Sequence, residues 1–235
     1  MKKRPSKDQN PANARRIPTQ ARAKERVERI IGAAAHVFAE VGFEAATMEA
    51  IAERAETSIG SIYQFFPNKG SLFNALARDH HDKVRVFFDV LLAGPLLDLP
   101  WTEVLDKGID ALAHFHENDI AFRAVWAGLQ FTPEAVVEGE AINREFAKRI
   151  ETVLEAKLPG LPPKHGPVVA TMMVEILTAM LIVSVRRPKE ARTLMDETKL
   201  LLRRYLAPYE TPVLQADPGS RKKGEHARAA IRSSR

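Results

Sequence analysis

The stretch Thr47–Lys69, TMEAIAERAETSIGSIYQFFPNK, decides the fold, because it predicts two short helices joined by a tight turn. In the first helix the apolar residues recur at i, i+3, i+4 and i+7 and so share one face: Met48, Ile51, Ala52 and Ala55. Thr47 stands where a hydroxyl can cap the free N–H groups of that helix. The stretch ends in Pro-Asn-Lys, where Asn68 can cap a third helix.

The second helix of this stretch has two contrasting faces. Ser58 is its predicted cap, and the residues expected to be buried are Ile59, Ile62, Tyr63 and Phe66. The outer face is small and uncharged: Ser58, Gly60, Ser61 and Gln64. A short helix with such an outer face suits insertion into a DNA major groove, so the stretch is predicted to be a helix-turn-helix.

The run resembles the DNA-binding module of the TetR family of repressors, whose pattern is approximately T-x-x-x-I-A-x-x-A-G-V-S-x-G-[ST]-[LI]-Y-x-[YH]-F-x-[SN]-K. The matching positions are Thr47, Ile51, Ala52, Ala55, Ser58, Gly60, Ser61, Ile62, Tyr63, Phe66, Asn68 and Lys69. The preceding RIIGAAAHVFAEVGF resembles the first helix of the family and its terminal glycine, so the resemblance covers about 60 of the 235 residues.

Three positions depart from the family pattern. Glu56 stands where the family usually has glycine, which accepts a left-handed backbone freely; glutamate there costs about 1 kcal/mol or adopts another turn. Thr57 replaces a usually buried valine. Phe65 replaces the usual tyrosine or histidine, which removes one expected contact to phosphate.

The motif match assigns roles in DNA binding to particular side chains. Tyr63 and Lys69 are the predicted phosphate contacts, and Lys69 lies at a helix N-terminus that itself favours anions. Thr47 caps its helix and is also placed to contact phosphate. The candidate readers of base edges are Ser58, Ser61 and Gln64, while Gly60 permits close approach of the helix backbone. Ile59 and Phe65 complete the predicted surface.

Composition and charge place the chain among soluble proteins whose ends meet a polyanion. Of its 235 residues, 45% are hydrophobic and 28% charged, and there are no cysteines, which excludes disulfides and thiol chemistry. Residues 1–29 carry ten Lys/Arg against three Asp/Glu, residues 221–235 carry six against one, and residues 30–220 are therefore net −7. Basic ends on an acidic body suggest nucleic-acid contact, although a solubilising tail explains the C-terminal run equally well.

The predicted organisation is all-α, with an N-terminal three-helix head and a C-terminal helical body. Residues 1–23 are expected to be a disordered basic arm, 24–84 the DNA-binding domain with its helix-turn-helix at 47–66, 85–209 the ligand-binding and dimerisation body, and 210–235 a disordered basic tail. The helices expected outside the motif span about Lys24–Val41, Lys69–Leu92, Trp101–Glu117, Ile120–Leu129 and Pro133–Lys157, followed by 168–185 and a helix starting at Pro188. Gly42 should end the first of these and Thr132 should cap the helix beginning at Pro133.

The segment 168–185, VVATMMVEILTAMLIVSV, is apolar on nearly every side and almost long enough to span a membrane. Glu175 in its middle and its soluble flanking helices argue against a span. A helix of this kind is instead expected to be buried against its own body and a partner. We therefore predict a homodimer held by the last two helices, two from each subunit, as the resemblance also implies.

A pocket for a small hydrophobic effector is predicted in the body. Its candidate lining is His114, Phe115, Phe122, Trp126, Met172, Met173 and Glu175. Glu175, a carboxylate in an apolar helix, should bind a ligand or form a bond across the dimer. No H-x-x-x-H pair, P-loop, G-x-G-x-x-G or G-x-S-x-G pattern occurs, so we expect no metal, no cofactor and no catalysis.

These features predict a cytoplasmic, dimeric, sequence-specific transcriptional repressor. Its two recognition helices would fit successive major grooves of a palindrome about 34–36 Å apart, and a ligand would alter that separation. Two alternatives stay open at this point: a DNA-binding regulator without a ligand, and a non-specific architectural protein acting through its basic ends.

Overall fold

The computed structural model describes residues 11–128 and 132–211, with side chains described for residues 20–126 and 132–211. Within those ranges the chain forms nine α-helices and three short 3-10 turns and contains no β-strand, which confirms the all-α prediction. The helices are α1 (Pro11–Ala45), α2 (Met48–Arg54), α3 (Ile59–Tyr63), α4 (Lys69–Ala93), α5 (Trp101–Glu117), α6 (Ile120–Gly128), α7 (Pro133–Lys157), α8 (Gly166–Arg186) and α9 (Ala191–Leu206).

Helix α1 is longer than the sequence pattern predicts. It begins at Pro11 rather than near Lys24, so the expectation of a disordered arm is wrong for residues 11–23, whereas residues 1–10 lie outside the described part of the chain. Proline is well accommodated in the first turn of a helix, and the segment that follows is rich in Ala and Arg, which favour helix. Gly42 interrupts the helical backbone with φ 80°, as predicted for the end of the regular helix.

The α2–α3 unit forms with the predicted caps. Thr47 Oγ1 accepts a hydrogen bond from Ala50 N at 3.1 Å, and Ser58 Oγ accepts one from Ser61 N at 3.2 Å. Glu56 lies between the helices with φ 50°, in the left-handed region. Glutamate therefore adopts a backbone conformation that glycine would adopt without strain.

We expect Glu56→Gly to raise the free energy of unfolding by about 0.5–1 kcal/mol. Relief of the left-handed conformation contributes about 1–2 kcal/mol, and the greater freedom of glycine in the unfolded chain removes about 0.5–1 kcal/mol of that gain. Urea denaturation of the two proteins measures the difference. Gly42→Ala is the matched reciprocal change and should lower stability, because a Cβ there meets nothing within 4 Å and only the positive φ opposes it. Destabilisation by Glu56→Gly would contradict the backbone argument.

Two hydrophobic cores lie along α4. Its first half contributes Leu72, Phe73, Leu76 and Ala77 to a core shared with α1, α2 and α3, which we call the head core. Its second half contributes Val84 and Phe88 to a core shared with α5, α7, α8 and α9, which we call the body core. The domain boundary near Val84 stays a prediction, and Val84 is the first α4 residue of the body core.

Helix α6 belongs to both cores. It packs along α1, and its Ala121, Ala124 and Val125 are buried in the head core. Phe122 is buried in the body core, against which Trp126 also packs. Helix α6 therefore contacts both the head and the body.

The last two helices present apolar surface to the outside. Helix α8 is long and apolar enough to cross a membrane by length and composition, yet only 28% of its most apolar 18-residue window is buried within the chain. Val168 on α8 is 69% exposed and Leu201 on α9 is 52% exposed. Both helices thus leave apolar side chains exposed on the described part of the chain.

Some local predictions differ from the structure around the body helices. Thr132 occupies the N-cap position of α7 but makes no capping bond; instead its hydroxyl donates to Asn74 Oδ1 on α4 at 2.8 Å. A buried hydroxyl bonds whichever acceptor the packing brings near, and α4 supplies it here. Pro188 lies in a turn before α9 rather than at its start. Leu129 lies outside the described residues, as does the expected tail beyond Thr211.

Candidate DNA-binding surface and body cavities

The outer face of α3 carries the residues predicted to meet DNA. Ser58, Gly60 and Gln64 are exposed, while Ile62 beneath them is fully buried. Tyr63 is 49% exposed, so its assignment to the buried face is wrong. The buried face is centred on Ile62 and Phe66. Tyr63 follows Ile62 by one residue, and the rotation of the helix over that step places Tyr63 at the edge of the buried face.

Other predicted contact residues are less accessible than the motif suggests. Ile59 and Phe65 are half-buried and pack against the head core. Ser61 Oγ is buried and has no hydrogen-bond partner among the described residues. The accessible polar side chains of the helix itself are therefore Ser58, Tyr63 and Gln64, beside the bare backbone of Gly60.

Lys69 joins the start of α4 to the end of α1. Its ammonium donates to the carbonyl oxygens of Glu44 and Ala46, each at 2.9 Å, and lies 4.7 Å from the centre of the Phe43 ring. These carbonyls belong to the chain at the C-terminus of α1, where a positive charge is favourable. An ammonium has three N–H donors, so one remains for a phosphate.

Asn68 caps α4 as predicted. Its side chain accepts a hydrogen bond from Ser71 N at 2.8 Å, and the Ser71 hydroxyl accepts one from Asn68 N at 3.3 Å. This reciprocal capping box fixes the first turn of α4, which begins at Lys69.

The body encloses three adjoining cavities. The first, of about 90 Å³, is lined by apolar side chains of α4, α5, α7, α8 and α9 together with Lys157, and we call it the apolar chamber. The second, of about 70 Å³, contains His80, His81 and His116, and we call it the histidine chamber. The third, of about 310 Å³, is more polar and includes Glu117, Arg123 and Ser184; we call it the mouth.

These cavities share walls. The apolar and histidine chambers have Phe88, Leu112, Ile150 and Leu177 in common. The histidine chamber and the mouth share His116, Phe122 and Leu181. The three spaces therefore follow one another through the body, with the histidine chamber in the middle.

The histidine chamber lies where the two cores meet. His80 and His81 on α4 are 2% and 3% exposed, and His116 on α5 is 7% exposed. His80 Nδ1 is 2.8 Å from Asp119 Oδ2, and Asp119 Oδ1 accepts a hydrogen bond from Ala121 N at the start of α6. The His116 ring stacks on Phe122 of α6 with centroids 3.9 Å apart. Side chains of α4 and α5 thus hold α6 from the body side.

Burial keeps two of these histidines neutral at pH 7. Desolvation, reinforced by the charge of His80, lowers the pKa of His116 to about 3 and that of His81 to about 4. For Asp119, burial raises the pKa but the hydrogen bond and charge of His80 outweigh it, so its pKa is lowered. Asp119 is therefore ionised, while His81 and His116 carry no charge. Among the described residues, no group of three His, Asp or Glu side chains could hold a metal ion.

The predicted pocket residues divide between inside and outside. Phe122 and Trp126 line the histidine chamber and Met173 lines the apolar chamber. His114 is exposed on α5, whereas His116 is buried. Residues two positions apart on a helix lie on different faces, so only one of the two can point into the body. Phe115 lines an open surface groove beside Phe87, not an interior cavity.

Two residues of α8 also lie elsewhere than the predicted pocket lining. Met172 is half-buried and lines none of the three cavities. Glu175 is exposed and accepts a hydrogen bond from Asn143 Nδ2 at 3.1 Å, so α7 rather than an interior ligand meets its carboxylate. The outward direction of Glu175 explains how an apolar helix tolerates a charge.

Sequence analysis missed the histidine chamber. A signal was present, because His80 continues the i, i+4 series of Leu72, Leu76, Val84 and Phe88 along the buried side of α4. That series predicts burial of His80, but not the approach of His116 from another helix.

Both the head and the body of this chain match known protein families. Residues 30–76 match the family described as bacterial regulatory proteins, tetR family, and residues 100–206 match the tetracyclin repressor-like C-terminal domain. The HTH-type transcriptional repressor KstR of Rhodococcus jostii is 44% identical over 57 residues, which is 24% of this chain and 27% of the relative. The HTH-type transcriptional regulator YhgD of Bacillus subtilis is 31% identical over 107 residues, 46% of each chain. The chain thus spans less than half the length of these curated relatives.

Solved structures share the fold over a larger part of the chain. A TetR transcriptional regulator from Legionella pneumophila has a TM-score of 0.62 at 18% identity, over 76% of this chain and 96% of its own. GusR of Salmonella enterica has a TM-score of 0.60 at 19% identity, over 78% of this chain and 96% of its own. Likeness at these identities is one of fold.

Proposed function

We propose, proceeding from the fact that this chain belongs to the TetR family of bacterial regulatory proteins, that it is a dimeric repressor released from a palindromic operator by a small, mostly apolar ligand. DNA-binding transcriptional regulation follows from the family itself. The observation that carries the ligand-controlled reading is the position of α6, which has one face in the head core and the other on the histidine chamber. A repressor of this kind acts on chromosomal DNA, so we place it in the cytoplasm.

The DNA contacts we propose follow from the exposed surface of the head. The exposed part of α3 enters the major groove, where Ser58 and Gln64 meet base edges and Gly60 allows close approach. Tyr63 and the remaining donor of Lys69 meet phosphates at the groove edge. Thr47, whose hydroxyl is engaged in capping α2, contributes chiefly by fixing that helix. Ile59, Ser61 and Phe65 support α3 from its inner side.

A second copy of this chain is the partner we propose for α8 and α9. Val168 and Leu201 leave apolar surface on both helices, and the resemblance of the whole body to the family favours a bundle of two helices from each subunit. Two-fold symmetry would set the heads at successive major grooves of a palindrome, about 34–36 Å apart. In this proposal a second copy of the chain, rather than a membrane, covers the apolar surface of α8.

Ligand release is proposed to act through α6. A ligand in the chambers displaces Phe122 and Trp126, and the same helix carries Ala121 and Val125 into the head core. Because packed cores resist continuous deformation, a shift of α6 moves the head as a unit. A body conformation that binds ligand better, and spaces the heads wrongly for the operator, then depletes the DNA-bound population.

The proposal is tested by selecting and sequencing genomic fragments bound by wild-type protein, Tyr63→Ala and Tyr63→Phe. We expect a few palindromic sites for the wild type. Tyr63→Ala should bind them roughly 100-fold more weakly, because a lost bond to a charged group is worth about 1.5 kcal/mol in each of two heads. Tyr63→Phe separates the hydroxyl from the ring.

Other outcomes of this selection separate the alternative functions. Broad recovery without a motif, steeply weakened by salt and unchanged in Tyr63→Ala, would replace this proposal by non-specific architectural binding. The selection could also recover specific sites from which no fraction of a small-molecule extract releases the protein. That outcome would indicate a regulator without a ligand.

A further inference from the structure

Three buried polar atoms without partners converge on the histidine chamber. His81 Nδ1, His116 Nδ1 and Trp126 Nε1 make no hydrogen bond to any described residue, and all three side chains line the chamber. Glu138 Oε1 lies 3.8 Å from His81 Nδ1, which is beyond hydrogen-bond distance. Buried polar atoms are nearly always paired in folded proteins, so unpaired ones call for an explanation such as a bound molecule.

Their arrangement specifies a hydrogen-bonding ligand. Trp126 Nε1–H is a donor only, so a partner there must offer an acceptor. A neutral imidazole presents either a donor or an acceptor at Nδ1, according to its tautomer, so His81 and His116 can complement a carbonyl or a hydroxyl. A ligand oxygen in this chamber would pair with atoms that the chain itself leaves without partners.

Charges around the chamber disfavour an anionic group at this position. No Lys or Arg is among its lining residues. The neighbouring cations of α4 are engaged with carboxylates: Arg85 with Asp82 and Glu145, and Lys83 with Asp79. Asp119 and Glu138 approach the histidines from outside. A carboxylate ligand would therefore be desolvated beside two acidic side chains, because no Lys or Arg lines the chamber and the His80 ring is already engaged with Asp119 at 2.8 Å.

The neighbouring apolar chamber defines the remainder of the ligand. Its lining is apolar except for Trp101 and Lys157: Trp101 Nε1 is buried without a partner among the described residues, and the Lys157 ammonium donates to Leu99 O at 3.0 Å. It adjoins the histidine chamber across Phe88 and Leu177. A molecule with its oxygen in one chamber places a hydrocarbon part in the other.

We propose that the effector of this protein is an elongated, uncharged, mostly apolar molecule with a carbonyl or hydroxyl oxygen, which is bound by His81, His116 and Trp126. The oxygen lies in the histidine chamber and the hydrocarbon part extends into the apolar chamber. This inference rests on the proposed ligand control of DNA binding, and it adds the chemistry of the ligand and the residues that select it.

Calorimetric titration with three ten-carbon probes tests the chemistry: 2-decanone, decane and decanoate. We expect 2-decanone to bind wild-type protein at least tenfold more tightly than either of the others. His116→Phe and Trp126→Phe each keep an aromatic ring and remove the polar atom, so each should weaken 2-decanone about tenfold and leave decane unchanged. His114→Phe, the same substitution at an exposed position of α5, is the matched control and should bind like wild type.

Thermal denaturation of the same variants tests whether each substitution has impaired folding. Removing an unpaired buried polar atom should leave the melting temperature of His116→Phe at or above that of wild type. A variant that is at least as stable yet has lost its preference for 2-decanone establishes a role in ligand selection rather than in folding.

Several results would overturn the inference. Tightest binding of decanoate would establish an anionic ligand, with Arg123 in the mouth as the cation that meets it. Equal binding of decane and 2-decanone, or binding of neither, would show that the unpaired atoms select nothing.

Release of operator DNA separates this inference from the proposed function. If decane binds best and releases DNA, ligand control stands and the polar recognition fails. If 2-decanone binds as expected but leaves DNA binding unchanged, the recognition stands and the regulatory proposal fails.

Discussion

Leu201→Glu should convert the protein to a monomer and lower its affinity for operator DNA by more than 100-fold. Leu201 is 52% exposed on α9, with Leu200 and Tyr205 beside it at 39% and 38%. In a two-fold interface built on α8 and α9 the substitution removes one leucine from each subunit, worth about 1.5–3 kcal/mol apiece, and buries two unpaired carboxylates in addition. A monomer has only one DNA-binding head, so it cannot bind both half-sites of the operator at once.

Analytical ultracentrifugation measures the oligomeric state, and fluorescence anisotropy on a selected operator fragment measures the affinity. Val90→Glu is the matched control, because Val90 on α4 is 71% exposed and lies away from α8 and α9. We expect Val90→Glu to remain dimeric. A dimeric Leu201→Glu together with a monomeric Val90→Glu would place the interface instead on the groove formed by Val86, Val90, Phe87 and Phe115.

The features that could be predicted from sequence are those determined by neighbouring residues. Thr47, Ser58 and Asn68 cap their helices because each bonds a backbone N–H three residues away. Gly42 takes a positive φ, and Glu56 takes the left-handed turn that the family pattern gives to glycine. Each of these features depends only on residues within one helical turn of each other, so the local sequence is sufficient to predict it.

Features that could not be predicted depend on contacts between distant residues. Lys69 donates to carbonyls 23 and 25 residues earlier, which no local pattern indicates. The histidine chamber forms because α5 brings His116 to α4. The inward or outward direction of Glu175 depends on where α7 places Asn143. Periodicity identified the helices of the body, but only packing decides which helix each face meets.

Stability should fall steeply as the pH is lowered from about 6.5 to 4, and the two neutral histidines should account for most of that loss. Burial, with the nearby charge of His80, lowers the pKa of His81 to about 4 and that of His116 to about 3. In the unfolded chain both titrate near the ordinary value of 6.5. Below pH 6.5 the unfolded state therefore binds more protons than the folded state, which lowers the free energy of unfolding.

Each histidine is expected to remove roughly 3 kcal/mol by pH 4, at 1.36 kcal/mol for each unit of difference in pKa. The stability is fully present above pH 6.5 and is lost progressively below it. Asp119 acts in a different window. Its pKa is lowered from 3.8, so the stability it contributes is lost only as the pH falls below that value. Loss between pH 6.5 and 4 therefore comes before the window in which Asp119 is protonated.

Urea denaturation at several pH values between 7 and 4.5, at one protein concentration, measures this dependence in wild type and in the double variant His81→Leu, His116→Phe. Taking the difference between the two proteins cancels the contribution of the other titrating groups, provided that these do not interact with the substituted positions. The double variant should have a markedly flatter profile, whereas His114→Phe, at an exposed position, should follow wild type. An equally steep profile in the double variant would mean that His81 and His116 accept protons in the folded state at ordinary pH. His81 and His116 would then add positive charge to the histidine chamber, and the argument for an uncharged ligand there would fail.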